Sequence, residues 1–308
     1  MHEPRSQSDA KPVMVGVDGS AGSAAAVRIG AWEAKRRRLP LLLVHGYLDQ
    51  LPYPTHGWTY YQPLATVVRN DAHTMLTDVE LRARADHPGL TVRSALVAGG
   101  GASTLAELSH TSSLVVVGSR GLGGFAGLSL GSVGAQVAMH SHAPVIVVRP
   151  RYAAMPTGGG GGSPPGSGPV VVGVDGSARS AAALGFAFDG ANARNVPLVA
   201  LHAWSVPFDV LGPTSPVRVD AMPARQEAER LLAEALAGWS EKYPDVPVRL
   251  VAEHDVNPSR TLIEASRGAG LVVVGNRGRG GFASLLLGSV SQALVGNAYC
   301  PVAVIREQ

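Results

Sequence analysis

A chain of 308 residues, 45% of them apolar and only 16% charged, has the length for two cores of ordinary size, and two domains of about 150 residues each are the natural expectation. Its 26 basic and 23 acidic residues leave a net charge of +3, which argues against a nucleic-acid binder, and a single cysteine, Cys300, excludes an intrachain disulfide and suits a reducing, cytoplasmic compartment. The stretches from Arg120 to Arg149 and from Arg279 to Arg306 hold no charged residue between their end points, but glycines, serines and a proline break both, so no membrane insertion is expected.

The polar residues Met1 to Lys11 (1–11) read as a disordered tail without a signal peptide. Pro12-Val-Met-Val-Gly-Val17 is a predicted strand that runs into Asp18-Gly-Ser20, and the Ala-rich segment from Ala24 to Arg38 is a predicted helix. Its closing run, Lys35-Arg-Arg-Arg38, suits the negative end of the helix dipole and reads as a solvated surface. Leu41 to Gly46 is the second strand. A Tyr- and Pro-rich loop from Tyr47 to Gln62 then leads into a helix from about Leu64 to Asp86. Val92 to Val97 is the third strand, Thr104 to His110 a helix, and Leu114 to Val117 the fourth strand. After a Gly- and Ser-rich loop, Val133 to Met139 reads as a helix with Ser132 at its N-cap, and Pro144 to Arg149 carries the fifth strand. Strands that alternate with helices and are apolar along nearly their whole length predict a parallel sheet covered by helices on both faces.

The composition changes over 151–169, where Gly158 to Gly162 and Pro164-Pro165 read as an interdomain linker. The pattern then restarts at Val170-Val-Val-Gly-Val-Asp175-Gly-Ser177, at a constant offset of 157 residues that pairs Asp18 with Asp175, His45 with His202 and Pro144 with Pro301. The chain is therefore read as a tandem duplication, with domains at 12–150 and 170–308, each an α/β domain with a five-stranded doubly wound sheet.

The feature that survives duplication best is the loop after the fourth strand. Its spacing is Gly, two residues, Gly, nine residues, Gly-Ser: Gly118, Gly121, Gly131 and Ser132 in the first copy, and Gly275, Gly278, Gly288 and Ser289 in the second. A glycine-lined turn that delivers backbone N–H groups into a helix start suits phosphate, and the amides of Ser132, Val133, Ser289 and Val290 are the candidate donors. Arg120 and Arg277 lie inside the loops and could neutralise phosphate, or could simply be solvated. Asp18 and Asp175, at the ends of first strands, would meet ribose hydroxyls, sit near a phosphate-bound metal, or only shape the Asp-Gly-Ser turn. His45 and His202 read as hydrogen-bonded structural residues, and Cys300 as a small buried hydrophobe. The sequence holds no Gly-Lys-Ser/Thr, and Gly121-Leu-Gly-Gly-Phe-Ala126 sits too far ahead of its helix for a dinucleotide fingerprint.

These residues give the chain a resemblance to the universal stress protein family in its tandem, actinobacterial form, whose members are linked to hypoxia, dormancy and growth control. The match is carried by the Val-Gly-Val-Asp-Gly-Ser openings, the Leu-Val-His and Leu-His strand ends, the doubled glycine loops and the His-Ala-Pro-Val and Tyr-Cys-Pro-Val entries to the last strands. The resemblance implies strand order 3-2-1-4-5 and binding of ATP with Mg²⁺. By position, Asp18 and Asp175 would contact the nucleotide, the backbone at Gly46 and Ala203 would meet adenine, and the loop glycines would hold phosphates. The first copy departs from the family pattern at Gly99-Gly-Gly101, where the second has Asn257-Pro258 after Val256. The expected activity is that of an ATP-binding stress regulator with an unidentified protein partner, and a homodimer stays open. A slow ATPase and a scaffold with empty pockets are the alternatives.

Overall fold

The computed structural model describes residues 10–47, 61–122, 130–150, 168–206, 220–279 and 286–307. Most of the expected tail and linker, the Tyr- and Pro-rich loop and the middle of each glycine loop lie outside the described residues. The chain forms two compact units, Met1–Gly162 and Ser163–Gln308.

In the first unit the order is β1 (Val13–Gly16), α1 (Ala21–Arg37), β2 (Leu41–Tyr47), α2 (Tyr61–Asp86), β3 (Val92–Ala98), α3 (Gly101–Leu108), β4 (Leu114–Gly118), α4 (Ser132–His140) and β5 (Val145–Val148). All its strand pairings are parallel and give the order β3-β2-β1-β4-β5. α1 and α2 pack on one face of this sheet, α3 and α4 on the other. The second unit repeats this with β6 (Val170–Gly173), α5 (Ala178–Arg194), β7 (Leu198–Trp204), α6 (Met222–Leu236), α7 (Trp239–Lys242), β8 (Val248–His254), α8 (Pro258–Ala265), β9 (Leu271–Gly275), α9 (Ser289–Asn297) and β10 (Val302–Ile305). Its order is β8-β7-β6-β9-β10, again all parallel. The implied strand order is thus found in both halves.

The central strands are apolar because helices cover both of their faces: Val13, Met14 and Val15 of β1 and Leu114 to Val117 of β4 are buried side by side. Each such side chain contributes on the order of 1.5–3 kcal/mol when fully withdrawn from water. β3 and β8, at the outer margins, are largely exposed. In each sheet the chain reverses its winding between β1 and β4, or β6 and β9, and the carboxyl ends of those strands are where a doubly wound sheet takes its ligand.

Local chemistry sets the helix ends. Ser20 caps α1 by accepting from the Ser23 amide, so the helix begins at Ala21, ahead of the expected Ala24. α1 and α5 both end on a residue in the left-handed region, Arg38 at φ 55° and Asn195 at φ 52°. α3 starts at Gly101, before the expected Thr104, and a 3₁₀ turn over Ser109–Thr111 finishes the segment. The Lys35–Arg38 run is not simply solvated, which corrects the expectation. Glu33 is 0% exposed, and its carboxylate accepts from Arg36 Nη2 at 2.8 Å and Arg37 Nε at 3.1 Å. Two of the four cations are thus needed inside the fold, because a buried carboxylate without partners would be far too costly.

Among the described residues no helix is long and apolar enough to cross a membrane.

Candidate nucleotide site

The loop after β4 is closed at its base by backbone alone. The Ser119 amide donates to Val148 O at 2.7 Å, extending the sheet, and the Ser119 carbonyl accepts from the Gly131 amide at 2.7 Å. Asn276, Ile305 and Gly288 repeat both bonds at 2.7 Å. The end of the strand and the start of the helix are therefore clamped together, whatever lies between them.

Gly131 and Gly288, not the serines, are the N-caps of α4 and α9. Both adopt extended backbone, and glycine has no side chain to accept a bond from the first turn. Ser132 and Ser289 are thus the first residues inside the helices, a correction to the expected serine cap. The change matters chemically, because a capping hydroxyl would occupy an amide that here stays uncapped beside the crevice.

Asp18 and Asp175 organise the other wall. Asp18 Oδ1 accepts from the Ser20 amide at 3.0 Å, and Oδ2 accepts from the Leu122 amide at 3.0 Å. Asp175 does the same with Ser177 N at 3.0 Å and Arg279 N at 2.8 Å, and also accepts from the Ser177 hydroxyl at 2.7 Å. Burial pushes both carboxyls up, but hydrogen bonds from Ser20 and Leu122, and from Ser177 and Arg279, outweigh it and hold them below the ordinary carboxylate value. They therefore shape the Asp-Gly-Ser turn and tether the glycine loop.

The glycines fit this arrangement closely. A Cβ on Gly121 would overlap Asp18 Oδ2, and one on Gly278 would come within 2.5 Å of Asp175 Oδ2. One on Gly118 would lie 2.6 Å from the carbonyl carbon of Gly22, at the start of α1. These glycines are needed by the protein's own packing before any ligand arrives. Gly22 was not singled out in the sequence; a Cβ there would overlap the Arg120 carbonyl.

His45 and His202 are hydrogen-bonded to the backbone, as expected, and His202 also lines the cavity of the second half. Their Nδ1 atoms lie 2.6 Å and 2.7 Å from the Val17 and Val174 carbonyls, which can only accept, so Nδ1 carries the proton. Cys300 is buried.

In the second half the pieces meet. Asp175, Ala203, Gly275, Arg277, Gly278, Gly288, Ser289 and Val290 all line one cavity of about 350 Å³. Leu201, Leu262, Val174 and Val274 add apolar wall, and Arg279 adds a second cation. The sequence reading missed Arg279 and Leu262, which become visible only when the end of β9 is set against α8. It also missed Ser291, whose hydroxyl donates to Gly275 O at 2.7 Å and ties α9 to β9. Arg277 lies near a like charge: burial first, and the Arg277 charge second, hold the Arg306 guanidinium below its ordinary value.

The first half places Asp18, Gly118, Arg120, Gly121, Gly131, Ser132 and Val133 on the corresponding elements, with two departures. Leu122, 75% exposed, stands where the second half has Arg279. A Cβ on Gly46, the position of Ala203, would meet Gly101 Cα at 2.8 Å and Gly99 O at 3.1 Å, so the triple-glycine backbone fills the space that the second half gives to a methyl group.

Among the described residues no group of three or more His, Cys, Asp or Glu is arranged to hold a metal ion. The described residues give each crevice one carboxylate, so a Mg²⁺ held by them would take most of its oxygen ligands from phosphates and water.

A family model described as the universal stress protein family matches residues 10–149 and again 167–306. A Mycobacterium tuberculosis universal stress protein is 39% identical over 301 residues, with 96% of each chain covered. Another from the same organism is 40% identical over 319 residues, covering all of both chains. The crystal structure of a universal stress protein from Archaeoglobus fulgidus superposes with a TM-score of 0.65 at 20% identity, over 96% of this chain and 98% of that one, a likeness of fold. The chain belongs to the universal stress protein family and carries two of its domains in tandem.

Proposed function

We propose that the chain is a stress regulator that binds ATP with Mg²⁺ in the crevice of each half, and that occupancy sets its conformation or its choice of protein partner. The observation that carries this reading is the uncapped start of α9, opening beside Asp175 and Arg277 on a cavity of about 350 Å³. Phosphate is the ligand that such a helix start, glycine loop and cation favour together. The apolar wall of Leu201 and Leu262 suits a base. Mg²⁺ would neutralise the phosphate chain, with Asp18 or Asp175 as the protein's contribution. The reading places the protein in a reducing cytoplasm, which a chain with a single cysteine suits. A protein partner or a second copy of the chain would receive the signal.

Slow turnover fits this reading better than an efficient ATPase. Among the described residues each crevice has one carboxylate, and hydrogen bonds already engage both of its oxygens and keep its basicity low. A general base needs a pKa nearer the working pH. Purification without added nucleotide, followed by mass spectrometry, tests the proposal, with ATP or ADP expected in the released fraction. An empty protein that also gives no heat with ATP and Mg²⁺ in calorimetry would remove it. Steady-state hydrolysis above about one per second would instead favour the enzyme.

A further inference from the structure

The two glycine loops share their backbone hydrogen bonds, but the crevices beside them differ in charge. In the second half Arg277 and Arg279 both line the cavity. In the first, Arg120 keeps one of these cations, but the other position is Leu122. Among the described residues each site has one aspartate, so the second crevice carries an excess positive charge that the first lacks.

Arg279 is held in place. Its amide donates to Asp175 Oδ2 at 2.8 Å, and its Nη2 donates to Gly176 O at 3.0 Å. Gly176, at φ +74°, leaves room for the guanidinium, which a Cβ there would overlap. The fold-back uses one of five guanidinium donors and leaves others at the cavity mouth. Glu227 feels the Arg279 charge, but it is paired with Arg230 at 2.6 Å. The Leu122 amide makes the same bond to Asp18 at 3.0 Å, so the loop backbone does not depend on which side chain stands there. The charge difference is thus separable from the fold.

We infer that Arg279 makes the second crevice selective for polyphosphate chains, nucleoside triphosphate over monophosphate, while the first crevice, with Leu122 in its place, discriminates little by phosphate charge. This rests on the nucleotide-binding reading above. A cation at the mouth adds most to a ligand whose charge extends beyond the phosphate held at the helix start.

The test uses calorimetry of the full chain with ATP and with AMP, both with Mg²⁺. The unaltered protein should show one class of sites that prefers ATP. Arg279→Leu should weaken ATP binding in that class about tenfold, the range for a lost charge-assisted contact, and leave AMP affinity within about twofold. Leucine is what the first half carries there, so circular dichroism should show an unchanged fold. Leu122→Arg should confer ATP preference on the first site. If both nucleotides bind and Arg279→Leu leaves their affinity ratio unchanged, this inference falls and the nucleotide reading stands. If the unaltered protein binds neither, both fall.

Discussion

Asp18 and Leu122, far apart in sequence, are joined by one hydrogen bond of 3.0 Å from the Leu122 amide to Oδ2. Asp175 and Arg279 repeat it at 2.8 Å. In each half the turn after the first strand thereby holds the loop after the fourth, across the point where the sheet reverses its winding.

That bond gives stability a defined pH dependence. Both folded carboxyls titrate below their ordinary value of 3.8, so their contribution is complete above that value and is lost as pH falls through the lower folded one. Asp18→Asn with Asp175→Asn should lower stability at neutral pH by about 1–2 kcal/mol, after allowance for solvent screening of these half-exposed groups. Denaturant midpoints measured from pH 7 to 2 should converge for the variant and the unaltered protein at the acid end. Parallel curves would contradict the tether.

Gly121 and Asp18 should behave as a coupled pair. Gly121→Ala sets a methyl group against Asp18 Oδ2 and should cost about 1–3 kcal/mol. In Asp18→Ala the obstruction is gone, so the second substitution should cost clearly less than it does alone. Additive losses in the double-mutant cycle would place the strain elsewhere.

Gly46→Ala should be much more damaging than Ala203→Gly, although the two positions are equivalent. The first forces a methyl group onto Gly101 Cα, at 2.8 Å, and should cost about 1–3 kcal/mol. The second only trims a cavity wall. Thermal melts of the two variants check this, and equal losses would mean that the walls do not differ.

Glu33→Ala should destabilise the first half by about 3 kcal/mol, since Arg36 and Arg37 would lose a fully buried partner. The second half has Gly190 there and provides the internal comparison. Domain-resolved hydrogen exchange should show the loss confined to the first unit.

The glycine loops could be read in the sequence because they occur twice in register, and the central strands β1, β4, β6 and β9 because burial on both faces leaves no polar positions along them. The tether could not: an aspartate before Gly-Ser already has a local explanation in its own turn, and nothing near it announces a partner in a distant loop. Glu33 was equally hidden, since an acid among helix-terminal arginines looks the same whether it is solvated or buried. The caps went wrong at Ser132 because glycine and serine both serve as N-caps, and only backbone geometry shows which one stands outside the first turn. Arg279 differs from Leu122 in the sequence, but only the fold, by joining its amide to Asp175, brings that difference to the cavity.

α1 and α5 begin on serines that satisfy their own first turns, whereas α4 and α9 begin on bare glycine. In deuterated water the opening amides of α4 and α9, at Ser132–Val133 and Ser289–Val290, should therefore exchange early, while the capped Ser23 and Ser180 amides serve as slow internal references. A bound anion would reverse that ranking site by site. The isotope pattern would then show which crevice is filled, without a label, a substrate or an assay of turnover.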